Sequence, residues 1–104
     1  MAIDYDHLRQ YTGGDQALEA EVLGLFLETG RGALAEMRGS LDGPGWKPAA
    51  HRLKGAALAV GAWSLAELAR RAEEAELTTA ERADLLSDLE TGLSAIRAAV
   101  QSSG

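Results

Sequence analysis

Leu86, Leu89, Leu93, Ile96 and Val100 recur at steps of three and four residues. A helix turns about 100° per residue, so these five side chains share one face of a helix and would not share one face of a strand. Ahead of them, Thr78-Thr79-Ala80-Glu81 has the form of a capping box, in which hydroxyl and carboxylate satisfy each other's backbone N–H groups. A long helix with one apolar stripe is stable only when another element covers that stripe. The rest of the chain must therefore supply further amphipathic helices, and its composition agrees. Ala, Leu, Glu and Arg dominate and β-branched residues are scarce, which predicts an all-α fold.

Those other helices are legible from their breakers. Ile3 to Tyr11 predicts a short first helix with Ile3, His7 (or Leu8) and Tyr11 on one side, ended by Thr12-Gly13-Gly14. Asp15 is a good N-cap for a second helix over about Gln16 to Gly39. Leu23, Phe26, Ala33, Leu34 and Met37 form its core side; Glu21, Glu28, Arg31, Ala35 and Arg38 form its polar arc. Leu18, Val22 and Leu25 lie about 100° from the core centre, so the apolar arc is wider than one contact needs. Two readings of that extra stripe are compatible: the short first helix covers it, or a partner meets it. Gly24, Gly30 and Gly32 each cost this helix stability.

Leu41-Asp42-Gly43-Pro44-Gly45 reads as a loop. A third helix starts near Trp46 or Lys47, tolerates Pro48 in its first turn, and closes at Gly61 as the residue after the cap. Ser64-Leu65-Ala66-Glu67 predicts a capping box for helix four, with Trp63 and Leu68 as a hydrophobic staple and Leu65, Leu68, Ala69 and Ala72 as its core face. Glu73-Glu74-Ala75-Glu76 is expected to be mostly a solvated end, and Gln101 to Gly104 to fray. Four amphipathic helices with short loops predict one domain over 1–104, an antiparallel up-down-up-down four-helix bundle with the first helix as a lid.

Charge and motif content remove several function classes. Ten basic residues against sixteen acidic ones leave a net charge of −6, with no basic cluster, so nucleic acid and anionic membrane are poor partners. No apolar run approaches the ~20 residues of a membrane span, and no signal-peptide core follows Met1, which predicts a soluble cytoplasmic protein. There is no cysteine, and no P-loop, His-Glu-x-x-His or Gly-x-Ser-x-Gly motif.

The chemistry gathers in helix three. Ala50, Leu53, Ala57 and Val60 share its core side, whereas His51, Lys54, Gly55 and Leu58 share a second side roughly 130° away. Gly in a helix interior costs about 1 kcal/mol relative to Ala, so the space beside the imidazole has a use. A neutral imidazole offers one nitrogen as nucleophile while the other keeps its proton, which something must hold. Glu73, one helix, one turn and most of another helix further on, is the candidate. His7 is assigned a structural or solvated role.

His51-Arg52-Leu53-Lys54-Gly55-Ala56-Ala57, then Val60-Gly61-Ala62, Leu65 and Leu68, resembles the histidine-containing phosphotransfer (HPt) domain of bacterial phosphorelays, most densely from Ala50 to Glu76. The resemblance implies that His51 accepts a phosphoryl group from an aspartate of one receiver domain and passes it to another. It implies receiver domains of response regulators or hybrid histidine kinases as partners, with Mg2+ supplied by the receiver and no cofactor of the chain's own. Lys54 would then neutralise phosphoryl oxygens, and Gly55 would admit the incoming aspartate and metal. A Gln or Glu commonly stands at the spacing of Glu73 in such domains and bonds the imidazole. Leu58 on helix three and Leu18, Val22 and Leu25 on helix two are the expected docking patch. The chain would be a monomeric carrier and not an enzyme, since it has no nucleotide site. Relatives usually place about one more helical turn between the tryptophan and the histidine, so His51 is expected nearer a helix N-terminus. Arg52 after the histidine, with no Pro or Thr in that turn, argues against the dimerisation domain of a sensor kinase. The alternative reading is a helical adaptor or docking module whose surface histidine is incidental.

Overall fold

A computed structural model describes residues 3–102. Five helices account for most of them: α1 (Tyr5–Thr12), α2 (Gln16–Arg38), α3 (Trp46–Val60), α4 (Trp63–Ala72) and α5 (Thr79–Ser102). No strand occurs among the described residues. Each of α2 to α5 packs against the next, α5 returns to α2, and α1 lies against α2 and α3. The result is an all-helical bundle whose interior holds the residues expected from periodicity: Leu23, Phe26, Ala33, Leu34 and Met37 of α2, Ala50, Leu53, Ala57 and Val60 of α3, and Leu86, Leu89, Leu93 and Ile96 of α5. Leu85 joins them; it precedes the first residue of the stripe read from the sequence.

Local chemistry sets most helix ends. The Asp15 carboxylate accepts from Leu18 N–H and starts α2. Gly61 closes α3 at φ 75°, a left-handed conformation that L side chains resist. Thr78 and Glu81 form the reciprocal box ahead of α5: Glu81 Oε1 accepts from Thr78 N–H at 2.9 Å, and Thr78 Oγ1 accepts from Glu81 N–H at 3.0 Å. The Thr78 backbone N–H, with the Thr78 hydroxyl beside it, holds the Glu81 carboxyl below its usual range.

The capping box expected at Ser64 is absent. α4 begins two residues earlier than that box implies, at Trp63, with Ala62 in the cap position and no side-chain cap. The left-handed Gly61 turns the chain so sharply that Ala62 N–H already returns to Ala57 O, 2.9 Å away. Ser64 therefore lies inside the first turn, and Glu67 pairs with Arg70. Trp63 is the first helical residue rather than the one before the cap, and it turns toward α1 and donates Nε1–H to Asp4 Oδ2. At the other end of the chain, Gln101 and Ser102 remain helical where fraying was expected, Ser102 Oγ donating to Ala99 O; Ser103 and Gly104 lie outside the described residues.

Two long-range contacts fix the register of α3. Trp46 is wholly buried and donates Nε1–H to Ala72 O at 2.7 Å, tying the start of α3 to the end of α4. Arg82 of α5 lies over the Trp46 ring and donates from Nη1 to the carbonyls of Leu41 and Gly43 in the α2–α3 loop.

Candidate functional site

His51 is the sixth residue of α3, so its ring stands beyond the first turn of the helix. Helix geometry turns it from the core stripe, and its side chain is 71% exposed. The Trp46–Ala72 bond brings the next residue of the α3–α4 pair into range: Glu73 Oε1 lies 2.8 Å from His51 Nδ1. A carboxylate only accepts, so Nδ1 carries the proton and donates it to Glu73. In the neutral ring, Nε2 is then the nitrogen with a lone pair, and it has no hydrogen-bond partner among the described residues.

The same carboxylate serves a second partner. Lys54 Nζ lies 2.6 Å from Glu73 Oε2 as an ion pair. Lys54 and Glu73 are 27% and 23% exposed, so the ammonium is close to the imidazole yet partly withdrawn from water. Partial burial alone would raise the Glu73 pKa; the ammonium of Lys54 and the ring of His51 outweigh it and hold the carboxyl below its usual range. Glu73 is thus an anion bridging two groups one turn apart. The 51–73 spacing had pointed to it; the 54–73 pairing follows from the same hairpin register and was not read from the sequence.

Gly55 lies on this face with nothing within 4 Å of where a Cβ would stand. Among the described residues no neighbour crowds that position, in contrast to Gly30, whose Cβ would come within 2.9 Å of Leu93 Cδ2. Gly55 therefore keeps surface beside His51 clear at some cost to the helix.

The expected docking leucines divide. Leu18, Leu25 and Leu58 are exposed, Leu25 at 58%. About five full turns separate Leu18 from Glu36, so the two share an azimuth on α2, and Glu36 pairs with Arg52 of α3 at 3.2 Å. Leu18 and Leu25 thus stand on the shoulder of α2 that adjoins the His51 helix. Val22 is half-buried and shares a hollow with Leu8, Tyr11 and Ala59, so α1 covers that part of the stripe and leaves the rest open.

His7 belongs to a different arrangement. Its Nε2–H donates to Leu58 O at 3.1 Å, and its ring packs edge-on against Tyr11 and Trp63. Asp4 N–H bonds Gly61 O, and the Asp4 carboxylate, held below its usual range by His7 N–H and Trp63, completes a clasp between α1 and the α3–α4 corner. His7 and His51 therefore hold their protons on opposite nitrogens, one to fasten a helix and one to leave Nε2 open. The aromatic clasp was not apparent from spacing, because its members lie on three separate elements.

His51 thus presents an oriented, solvent-facing imidazole on the same face as Lys54 and Gly55. The chain matches the family described as Hpt domain over residues 21–99, most of its length, and it belongs to that family. Neither the curated proteins nor the solved structures gave a match. Hpt domains are phosphocarrier modules of two-component phosphorelays and interact with receiver domains. Among the described residues, no helix is long and apolar enough to cross a membrane.

Proposed function

We propose that His51 Nε2 is the phosphoacceptor, taking its phosphoryl group from the aspartyl phosphate of one receiver domain and returning it to the aspartate of another. The observation that carries this reading is the bridge from His51 Nδ1 through Glu73 to Lys54, beside an open Gly55. The Nε2 lone pair attacks phosphorus, the acyl P–O bond breaks, and its electron pair leaves with the partner's carboxylate. No proton is lost: the ring keeps Nδ1–H and becomes a phospho-imidazolium, whose new positive charge faces the Glu73 carboxylate. Lys54 exchanges part of its contact with Glu73 for the phosphoryl oxygens. The receiver supplies Mg2+ near its own aspartate, and Gly55 provides the room for both. The chain acts as a stoichiometric carrier and not as a catalyst with turnover.

The receiver docks over Leu18, Leu25 and Leu58, with Val22 at the edge that α1 covers. Residues 1–104 act as one domain, a monomeric cytoplasmic up-down-up-down bundle in which α1 is the lid; the ring of helix contacts supports that topology. Incubation with a phosphorylated receiver should place acid-labile phosphate on the protein, and His51→Ala should abolish it while leaving the helical signal intact. Leu25→Glu or Leu58→Glu should weaken receiver binding by at least about 1–2 kcal/mol, yet leave labelling of His51 by a small phosphoramidate unchanged. Full labelling of His51→Ala would sink the assignment, and a parent that takes no label would restore the adaptor reading.

A further inference from the structure

The face of α2 turned toward α5 carries a groove of about 200 Å³ that none of His51, Lys54, Gly55 or Glu73 touches. Its floor is Leu27 and Leu34 of α2 with Leu93 of α5. Leu93 settles against α2 because residue 30 has no side chain to hold it off. Arg31, Arg97 and the Ser94 hydroxyl line its walls. Neither arginine has an ion pair or hydrogen bond among the described residues, whereas Arg9, Arg38, Arg52, Lys54 and Arg70 each meet a carboxylate. Lys47 and Arg71 are unpaired as well; Lys47 lines none of the grooves described, and Arg71 lies in a cleft with Glu74, Glu81, Asp84 and Asp88, a field that repels anions.

The groove has two distinct ends. Gly30 meets Leu93 and Arg38 meets Glu90, so α5 runs against α2 along this contact. The Glu90–Arg38 pair therefore closes the Leu34 end, and Arg97 falls at the Leu27 end with Arg31 between. From Leu27 to Leu34 the axis advances about 10 Å. An extended hydrocarbon advances about 1.3 Å per bond, so this length takes roughly six to eight carbons. Two bare guanidiniums beside three leucines, on a chain of net charge −6, select a molecule that is anionic at one end and apolar at the other.

We propose that the α2–α5 groove binds a short unbranched amphipathic carboxylate, its head between Arg31 and Arg97 and its chain over Leu93 and Leu34. The site is independent of phosphoryl transfer, and its occupancy stabilises the folded chain by mass action. Octanoate is the probe, titrated into the whole chain and followed by methyl NMR and by thermal unfolding. The expected result is saturable shifts confined to Leu27, Leu34 and Leu93 with a rise in Tm. Arg31→Glu and Arg97→Glu should each weaken binding about tenfold or more, as loss of a charged hydrogen bond does. Lys47→Glu, with the same change in net charge, should bind like the parent, and all three variants should keep the parent's helical circular dichroism and His51 labelling. Octylammonium, with the same chain and opposite charge, should bind at least about tenfold more weakly, and acetate should not shift the leucines. The proposal is overturned if Arg31→Glu and Arg97→Glu bind octanoate as well as the parent, if Lys47→Glu loses as much as they do, or if octylammonium binds equally. It is also overturned if octanoate leaves the three leucines unshifted, whether the chain is monomeric or sedimentation shows a second copy covering the groove.

Discussion

Two glycines six positions apart, one inside α3 and one closing it, should respond in opposite directions to the same substitution. Gly61 holds φ 75°, and a Cβ built there would lie 2.8 Å from Asp4 Cβ and 3.0 Å from Asp4 O. An L residue in that conformation costs about 1–2 kcal/mol by itself. The atoms it meets include backbone, which cannot swing aside like a side-chain tip, so Asp4 must retreat. That breaks the bond from Asp4 N–H to Gly61 O, now 3.0 Å long, for about 1 kcal/mol more. Gly61→Ala should therefore destabilise the protein by about 2–3 kcal/mol, and lower Tm by roughly 10–20 °C for a chain of this size. At Gly55 the helix is regular and nothing stands within 4 Å, so Gly55→Ala should stabilise by up to about 1 kcal/mol. Urea titration followed by circular dichroism, with the slopes compared to confirm an unchanged folded state, measures both. If Gly61→Ala fell within about 0.5 kcal/mol of the parent, the close approach of Asp4 to the α3–α4 corner would be refuted; a destabilised Gly55→Ala would refute the open surface at that position.

Three further outcomes follow from named contacts. Trp46→Phe removes the donor to a buried Ala72 carbonyl and shrinks a fully buried ring, so it should cost about 2–4 kcal/mol; because that bond sets the register of Glu73 beside His51, the NMR tautomer signature of the His51 ring should weaken as well. Arg82→Met keeps the aliphatic stem but loses the donors to Leu41 and Gly43; a loss of about 1–3 kcal/mol in urea titration is expected, and an unchanged midpoint would mean that the loop holds itself. The Glu73 carboxyl is held below its usual range in the folded protein, so its contribution is fully present above the unfolded carboxyl pKa, about 4.3, and is lost as pH falls from there through the lower folded value. Stability measured from pH 6 down to pH 2 should therefore fall less steeply on the acid side in Glu73→Gln than in the parent, and parallel curves would show that the bridge to Lys54 contributes nothing.

What the sequence decides by itself here is whatever depends on a few neighbouring residues. Helix period fixes which leucines face inward, since azimuth follows from spacing alone. Asp15, Gly61, and Thr78 with Glu81 end or begin helices through their own backbone conformation and side-chain reach, without help from elsewhere. His51, Lys54 and Gly55 fall on one face for the same arithmetical reason. Glu73 is the intermediate case: the hairpin spacing nominates it, but only the packing of α3 on α4, keyed by Trp46 and Ala72, brings its two oxygens to two different partners. Tertiary contact decides the remainder because it competes with the local preference and wins, or because the local signal is silent. Ser64 has capping chemistry, yet the turn at Gly61 and the pull of Trp63 toward Asp4 start α4 before it. Gly30 and Gly55 are the same residue in similar helices; one lies against the Leu93 side chain and the other faces open surface, a difference that exists only between helices. Val22 and Leu25 belong to one stripe, and α1 covers the first and not the second. Arg31 reads as one more charge on a polar arc until α5 places Arg97 on the same wall of leucines, because a groove belongs to two elements and is written in neither.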